Sequence, residues 1–278
     1  MSSLTETPRR RLWVEITLGL VLLVAVIPII WTLVLAFLPN RAIVDSGWQF
    51  TFWLGNFATL FDGGAFLAQI RNSVVIVIGA VAICLAIGSM TGYALSRLNP
   101  PRWLTLPALI ITGFIPLIPP MTLVPGLYIL LGQLSLLGTL TGLVLVNAFI
   151  NLPFAALLMS SYFSTVPNEL REAALVDGAS ESRTFLSVML PIVKPGLAAT
   201  GIFTGIMAWN EFLMGLTLTT GGNTAPVTVG IAGLLQPYAI TWGELAAAGT
   251  VAAIPIIAMA IVANRHIVAG LTSGAVKG

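Results

Sequence analysis

Residues 16–40 have the sequence ITLGLVLLVAVIPIIWTLVLAFLPN, and these 25 residues contain no charged side chain. A helix needs about 20 apolar residues to cross the ~30 Å hydrocarbon core of a bilayer, so this segment is long enough to span it. Three arginines precede the segment, as in a secretory signal peptide. The segment is too long for the usual signal core and shows no obvious small-residue cleavage pattern, so we interpret it as a retained anchor and first span.

The rest of the chain has the same character. Of its 278 residues, 57% are hydrophobic and only 8% are charged, whereas about 25% of the residues of a soluble domain are charged. The apolar runs are continuous and lack the period-2 alternation of a barrel strand, which favours helices. The net charge of +2 gives no field strong enough to indicate a nucleic-acid partner.

Hydropathy predicts an all-α polytopic membrane protein with six spans. The predicted spans are 13–38, 72–96, 104–131, 139–161, 195–218 and 245–268. Basic residues flanking spans collect on the cytoplasmic side, and this arrangement places ten there against two outside. The cytoplasmic set is Arg9, Arg10, Arg11, Arg97, Arg102, Arg171, Arg183, Lys194, Arg265 and Lys277, and the outer set is Arg41 and Arg71. Both termini are therefore expected in the cytoplasm, with tails at 1–12 and 269–278 around a transmembrane domain at 13–268.

One loop, 165–195, carries seven of the 22 charged residues of the chain, and the orientation places it in the cytoplasm. Its pattern predicts two short helices with a break between them. Pro167 suits a first helical turn, Gly178 tolerates the positive φ of a helix stop, and Ser180 can cap a second helix. Pro191 and Pro195 are then expected to break the chain before the fifth span.

The first of these helices has small side chains on one face, because Leu170, Ala173, Ala174 and Asp177 are spaced i, i+3, i+4 and i+7. Small side chains let another protein surface approach closely, so the face is a candidate docking surface. The alternative is an ordinary amphipathic connector lying on the membrane. The residues alone leave both interpretations open.

Residue types restrict the chemistry that the chain can perform. A single cysteine, Cys84, excludes an intrachain disulfide and a cysteine metal site. Lys194 and Lys277 are the only lysines, and neither follows the glycine spacing of a phosphate-binding P-loop. A single histidine, His266, leaves no plausible nucleophile and base pair for an intramembrane enzyme. Any ATP used by this protein must therefore be hydrolysed by another chain.

The stretch 172–195, EAALVDGASESRTFLSVMLPIVKP, resembles the EAA loop of binding-protein-dependent ABC importer permeases. That pattern has Glu-Ala-Ala, three residues, Gly, nine residues, an aliphatic residue, one residue and Leu-Pro. It matches here with Val188 in place of the commoner isoleucine. Asp177-Gly178-Ala179 within this loop and three further stretches resemble the carbohydrate branch, and in particular the second permease subunit of maltose- or trehalose-type importers. The three further stretches are Lys194-Pro195-Gly196, Trp209-Asn210-Glu211-Phe212 and Gly270-Leu271-Thr272-Ser273-Gly274.

The resemblance implies that transport is carried out by a complex of several chains at a bacterial plasma membrane. It implies a heterodimer with a second homologous permease, two ATPase subunits that bind ATP and Mg, and an extracytoplasmic sugar-binding protein. No cofactor is expected in this chain. By this resemblance, the loop couples the permease to the ATPase, with Glu172 as the polar contact and Gly178 as the turn. The expected coupling residues are Glu172, Ala173, Ala174, Asp177, Gly178 and Pro191.

Within the fifth span, Trp209, Asn210 and Glu211 are candidates for the translocation path, because an ionisable residue at that depth usually faces a cavity or a partner group. The alternative is an interhelical hydrogen bond that holds subunits together. The outer loop with Gly221, Gly222 and Asn223 is expected to lie near the binding protein, and a simple turn is the alternative.

Prolines and glycines in the spans leave two further questions. Pro116, Pro119, Pro120 and Pro125 indicate either a gate or a static kink in the third span. Gly88-x-x-x-Gly92 and Gly201-x-x-x-Gly205 indicate close helix packing, with internal packing favoured over dimerisation. A self-contained secondary transporter is the competing class, but such proteins normally show several deep carboxylates and two repeated halves.

Overall fold

The fold was analysed in a computed structural model that describes residues 8–44, 51–98, 100–219, 223–236 and 239–275. It divides into two compact units, 1–64 with 233–253, and 65–232 with 254–278. Among the described residues, four helices are long and apolar enough to cross a membrane, or up to six segments if each of two bent helix pairs forms one span.

The first unit begins with a long helix and ends with the start of another. Its elements within the described residues are α1 (Pro8–Ala36), α2 (Asn40–Val44), α3 (Gly55–Phe61), a 3₁₀ turn (Asp62–Gly64) and a short antiparallel hairpin of β1 (Leu235–Gln236) and β2 (Ala239–Ile240). Every side chain from 12 to 33 in α1 is exposed, as expected for a helix that lies against lipid or another subunit. The Asn56 amide donates to the carbonyls of Ala36 and Leu38 at 2.9 and 2.8 Å, and so holds α3 to the end of α1.

The second unit contains the larger helical core. Its helices are α4 (Ala65–Arg97), α5 (Arg102–Phe114), α6 (Pro120–Gln133), α7 (Leu140–Ser164), α8 (Asn168–Val176), α9 (Glu181–Thr184), α10 (Leu190–Ile192), α11 (Lys194–Trp209), α12 (Leu213–Leu218) and α13 (Val227–Gly233). A 3₁₀ turn (Ile115–Leu117) follows α5, and a π turn (Phe185–Met189) joins α9 to α10. The last helix, α14 (Trp242–Ala275), contributes to both units.

Helices α4 and α7 pack along each other because glycines allow their backbones to approach. A Cβ added to Gly92 would lie 2.6 Å from the Ser160 amide nitrogen, and one added to Gly88 would lie 3.1 Å from the Ala155 Cβ. Both glycines therefore allow close packing between helices of this chain, which the sequence pattern favoured over dimerisation. Cys84 lies in the same interface, fully buried, with its thiol 3.5 Å from the carbonyl of Ala148.

The predicted spans 13–38, 72–96, 139–161 and 245–268 coincide with long helices, but the other two are interrupted. The third is divided into α5 and α6, which meet at an angle of 111°. Ile118 and Pro119 are extended there, with ψ of 123° and 126°, because a residue before proline is driven out of the helical region. The predicted fifth span is divided into α11 and α12 at residues 210–212.

Candidate functional site

The charged loop forms the helix, break and helix that its sequence predicts. Helix α8 ends in a Schellman motif, in which Gly178 has φ of +82°. The amide of Ala179 donates to the Ala174 carbonyl at 3.0 Å, and that of Gly178 donates to the Leu175 carbonyl at 3.1 Å. Glycine is the residue best suited to this conformation, so Gly178 sets the direction in which the chain leaves α8.

The second helix begins at Ser180, whose hydroxyl accepts the Arg183 amide as an N-cap. Pro167 precedes α8 as its N-cap residue, one position before the first turn where the sequence placed it. Pro191 is exposed within α10, and the chain then breaks at Val193, so that the helical segment 181–192 and α11 are bent by 78°. The loop is thus a compact turn attached to the ends of long helices.

The outward surface of α8 and the turn that follows includes four of the six residues expected to meet an ATPase. Glu172, Ala173, Asp177 and Gly178 are exposed, and the adjacent Val176 is 87% exposed. Ala174 is half-buried, because it lies toward the rest of the protein. The exposed surface therefore combines acidic groups with small and apolar side chains, which suits contact with another protein better than contact with water alone.

A carboxylate on the inward side fixes α8 against its neighbours. Glu181, the first residue of α9, receives two hydrogen bonds from Arg171 of α8, Nε to Oε1 at 2.8 Å and Nη2 to Oε2 at 2.7 Å. The hydroxyl of Tyr93, in α4, donates to the same Oε1. The Arg171 guanidinium lowers the pKa of Glu181, and Glu181 in turn raises the pKa of Arg171. Both groups therefore stay charged at neutral pH.

Arg97, one turn after Tyr93 in α4, holds the entrance of the loop. Its Nε donates to the Phe163 carbonyl at 3.0 Å, and its Nη2 donates to the carbonyls of Phe163 and Val166. Its Nη1 donates to the Asn168 side chain at the start of α8. The Phe163 carbonyl also accepts the Val166 amide at 3.1 Å, so Arg97 adds charged donors at a helix end, where carbonyls lack the amide of a following turn.

Three aromatic rings fill the space between these polar contacts. Tyr93 lies edge-on to Phe163 with ring centroids 5.3 Å apart, and 5.1 Å from Phe185 of the π turn. Met159 and Met189 complete this buried cluster. The loop is therefore packed onto α4 and α7 rather than suspended from them.

Sequence reasoning did not identify the roles of Tyr93, Arg97, Arg171 or Glu181. The Arg171–Glu181 pair had a detectable signal, since the two opposite charges flank the predicted turn at Gly178 ten residues apart. The contact of Tyr93 with Glu181 had no local signal, because 88 residues separate them.

The candidate path residues lie at the break between α11 and α12. Trp209 is buried, 4% exposed, and Asn210 is exposed. The two oxygens of the Glu211 carboxylate accept the amides of Met214 and Gly215 at 2.8 and 3.1 Å, so Glu211 caps α12. This local role accounts for a carboxylate at that depth and leaves both interpretations of its function open.

Asn223, in the loop expected to lie outside, is held by its backbone, since its carbonyl accepts the Asn72 side-chain amide at 2.8 Å. Gly221 and Gly222 lie outside the described residues.

Comparison with known proteins identifies the kind of chain that carries this arrangement. The family model of the binding-protein-dependent transport system inner membrane component matches residues 85–273. The trehalose transport system permease protein SugB of Mycobacterium tuberculosis is 35% identical over 91% of this chain and 93% of its own length. The trehalose/maltose transport system permease protein MalG of Thermococcus litoralis is 31% identical over 98% and 99%. Among solved structures, a chain of a bacterial ABC transporter involved in the import of alginate superposes with a TM-score of 0.78 at 20% identity, over 95% of this chain and 99% of that one.

Proposed function

The chain belongs to the family of binding-protein-dependent transport system inner membrane components, and from this membership we propose that it is a permease subunit of an ATP-driven sugar importer. The trehalose and trehalose/maltose systems of the two relatives support a di- or oligosaccharide as the solute. A polyol or a glycerol phosphate is the alternative solute.

One structural observation supports this proposal above all: α8 presents an exposed acidic and small-residue surface, ended by the positive-φ Gly178, in a chain that is otherwise apolar. In the proposed mechanism, Glu172 makes the polar contact with an ATPase subunit, Ala173 packs closely against it, and Asp177 adds a second acidic contact. Ala174 and Pro191 shape the loop behind that surface. ATP and Mg bind to the two partner ATPases, so this chain itself performs no hydrolysis.

The remaining parts of the assembly follow from the proposed role. In the proposed assembly the chain pairs with a second, homologous permease in a bacterial plasma membrane, and a topology of six spans with both tails, 1–12 and 269–278, in the cytoplasm follows from the distribution of basic residues. A sugar-binding protein delivers the solute to the outer loop around 221–223. Asn210 and Glu211 line the path near the break in the fifth span, where polar groups suit sugar hydroxyls, and the buried Trp209 packs behind them.

The proposal is tested by reconstituting the chain with its partner permease and ATPase subunits in proteoliposomes, and by measuring uptake of labelled trehalose, maltose, sorbitol and glycerol 3-phosphate. We expect uptake of a disaccharide that needs ATP and the binding protein. Uptake by this chain alone, driven by an ion gradient without ATP, would contradict the proposal and favour a secondary transporter.

A Glu172→Lys variant tests the coupling surface directly. Reversal of the charge should abolish uptake while the protein remains in the membrane at normal levels, and Glu172→Gln should give an intermediate loss because it keeps the shape of the side chain. Normal uptake by Glu172→Lys at normal expression would exclude this surface as the ATPase contact.

A further inference from the structure

The last turn of α4 holds the charged loop at two separate places. Tyr93 and Arg97 are four residues apart and therefore lie on the same face of the helix. Arg97 fixes the start of α8 through Asn168, and Tyr93 fixes the start of α9 through Glu181. The two attachments lie on either side of the turn at Gly178.

Two attachments constrain α8 more than its chain connection does. Helix α8 is linked to α7 through 165–167 and to α9 through 177–180, and two short linkers alone leave it free to turn about its own axis. The contact with Glu181 restricts this rotation. Arg171 lies in the middle of α8, and its planar guanidinium donates two parallel hydrogen bonds that fix the orientation of the carboxylate.

The arrangement is not explained by stability alone. Ion pairs that are partly open to water contribute little to stability, typically below about 1 kcal/mol, and the Arg171 and Glu181 side chains are 23% and 35% exposed. The buried Tyr93 hydroxyl donates to the same carboxylate. Because the Tyr93 ring is packed between Phe163 and Phe185, this hydrogen bond fixes where the carboxylate lies. The group of three therefore defines the position of α8 relative to α4.

We propose that Glu181 is a positioning residue that ties α8 to α4 through Arg171 and Tyr93, so that a displacement of α8 by the ATPase moves α4 with it. This inference rests on the proposed function. Helix α4 is suited to transmit this displacement because its backbone lies in close contact with α7 at Gly92, so we expect the two tightly packed helices to move together. Loss of the tie should let α8 turn without moving the spans.

The test compares Glu181→Gln, Arg171→Gln and Tyr93→Phe in the complete reconstituted transporter. ATP hydrolysis and uptake of the disaccharide accepted by the wild type are measured in the same proteoliposomes. We expect assembled complexes whose ATPase rate stays within about twofold, while sugar moved per ATP falls about fivefold for Glu181→Gln and less for Tyr93→Phe, the scale of a ~1 kcal/mol change in coupling. A merely structural role would lower the amount of complex and leave this ratio unchanged.

A double variant and a control sharpen the result. Glu181→Gln with Arg171→Gln should lower the ratio no further than either change alone, because both remove the same contact. Arg183→Gln removes an exposed charge from the same loop, in α9, and should keep the wild-type ratio.

Two outcomes would overturn the inference: a wild-type ratio of sugar to ATP in both Glu181→Gln and Arg171→Gln, or additive losses in the double variant. If Glu172→Lys abolishes uptake in the same preparations, such an outcome rejects the tie and leaves the proposed function intact. If Glu172→Lys also transports normally, the coupling function of α8 itself is rejected.

Discussion

Gly178 is the residue on which the direction of the coupling loop depends. Its φ of +82° is strained for a residue with a Cβ, yet an added Cβ would meet no atom within 4 Å. We expect Gly178→Ala to reduce uptake by backbone strain of about 1–2 kcal/mol, and Gly178→Asn to transport better than Gly178→Ala because asparagine tolerates this conformation.

Gly178→Arg extends this series, because it combines the strain with a bulky charge on the proposed docking surface. It should abolish uptake and leave the protein in the membrane. Uptake assays on membranes with matched protein levels check all three variants. Equal uptake by the alanine and arginine variants would contradict a docking role for this position.

Gly92 gives a second prediction at the residue scale. An added Cβ would lie 2.6 Å from the Ser160 amide nitrogen and 2.8 Å from the Met159 Cβ, so Gly92→Ala must push α7 away from α4. We expect the free energy of unfolding to fall by about 1–3 kcal/mol, measured as a lower thermal transition in detergent.

Gly113→Ala is the matched control for Gly92→Ala. Gly113 also lies in a helix, but a Cβ there meets no atom within 4 Å. This variant should be neutral or slightly more stable. A stable Gly92→Ala variant would show that the interface of α4 and α7 adjusts more easily than its contacts suggest.

Local residue roles were predictable because their causes are local. The stop at Gly178 and the cap at Ser180 depend on neighbours within a few positions, and the structure has both. The roles of Tyr93 and Arg97 depend on how α4 meets a loop far along the chain. No periodicity or spacing in the sequence carries that information.

At the scale of elements, Arg97 joins the ends of two helices and the start of a third. Its hydrogen bonds to carbonyls of Phe163 and Val166 are charge-assisted, and such bonds contribute about 1.5–3 kcal/mol each. Arg97→Gln should therefore lower the thermal transition of the detergent-solubilised protein, by about 2 kcal/mol in free energy of unfolding. Arg102→Gln, an exposed arginine at the start of α5, should leave it unchanged; equal losses would show that the effect is one of net charge.

The angle of 111° between α5 and α6 gives a prediction about proline. Replacing both Pro119 and Pro120 with alanine frees Ile118 to become helical, so the bend should relax. If the bend gates the path, uptake should fall about fivefold, as for a ~1 kcal/mol shift between two conformations.

Pro125→Ala is the control for this bend, because Pro125 lies inside α6 and away from it. Uptake by this variant should stay near the wild-type level. Wild-type uptake by the double alanine variant as well would identify the bend as a static kink.

Hydropathy predicted six spans, of which four coincide with long helices, and it did not predict that the helix of each of the other two is interrupted. Four predicted spans are unbroken helices, because uninterrupted apolar runs satisfy their own backbone in lipid. The break at residues 210–212 had a weak signal in Glu211, whose carboxylate caps α12. A carboxylate in a predicted span can line a path, bind a partner subunit or cap a helix. The capping role becomes visible only in the three-dimensional structure.

For the whole molecule, the exposed side chains of α1 and those of α8 differ in chemistry. Side chains 12–33 of α1 suit lipid or another apolar protein surface, whereas α8 carries charge and suits contact with a protein in water. Sequence composition predicted this separation between an apolar body and one polar loop. It could not predict the arrangement of the loop, since the loop is held by side chains from two long helices.

Because Cys84 is buried, the wild-type chain is suitable for site-directed cysteine labelling. Because the single cysteine of the sequence is 0% exposed in the interface of α4 and α7, a reagent applied in water should modify only cysteines that are introduced. With the proposed orientation, a membrane-impermeant maleimide added to intact spheroplasts should label Asp62→Cys and spare Val176→Cys until the membrane is opened. The reverse pattern would invert the assignment of both sides of the membrane, and the same two sites could then report, by fluorescence, how far each end of the protein moves during transport.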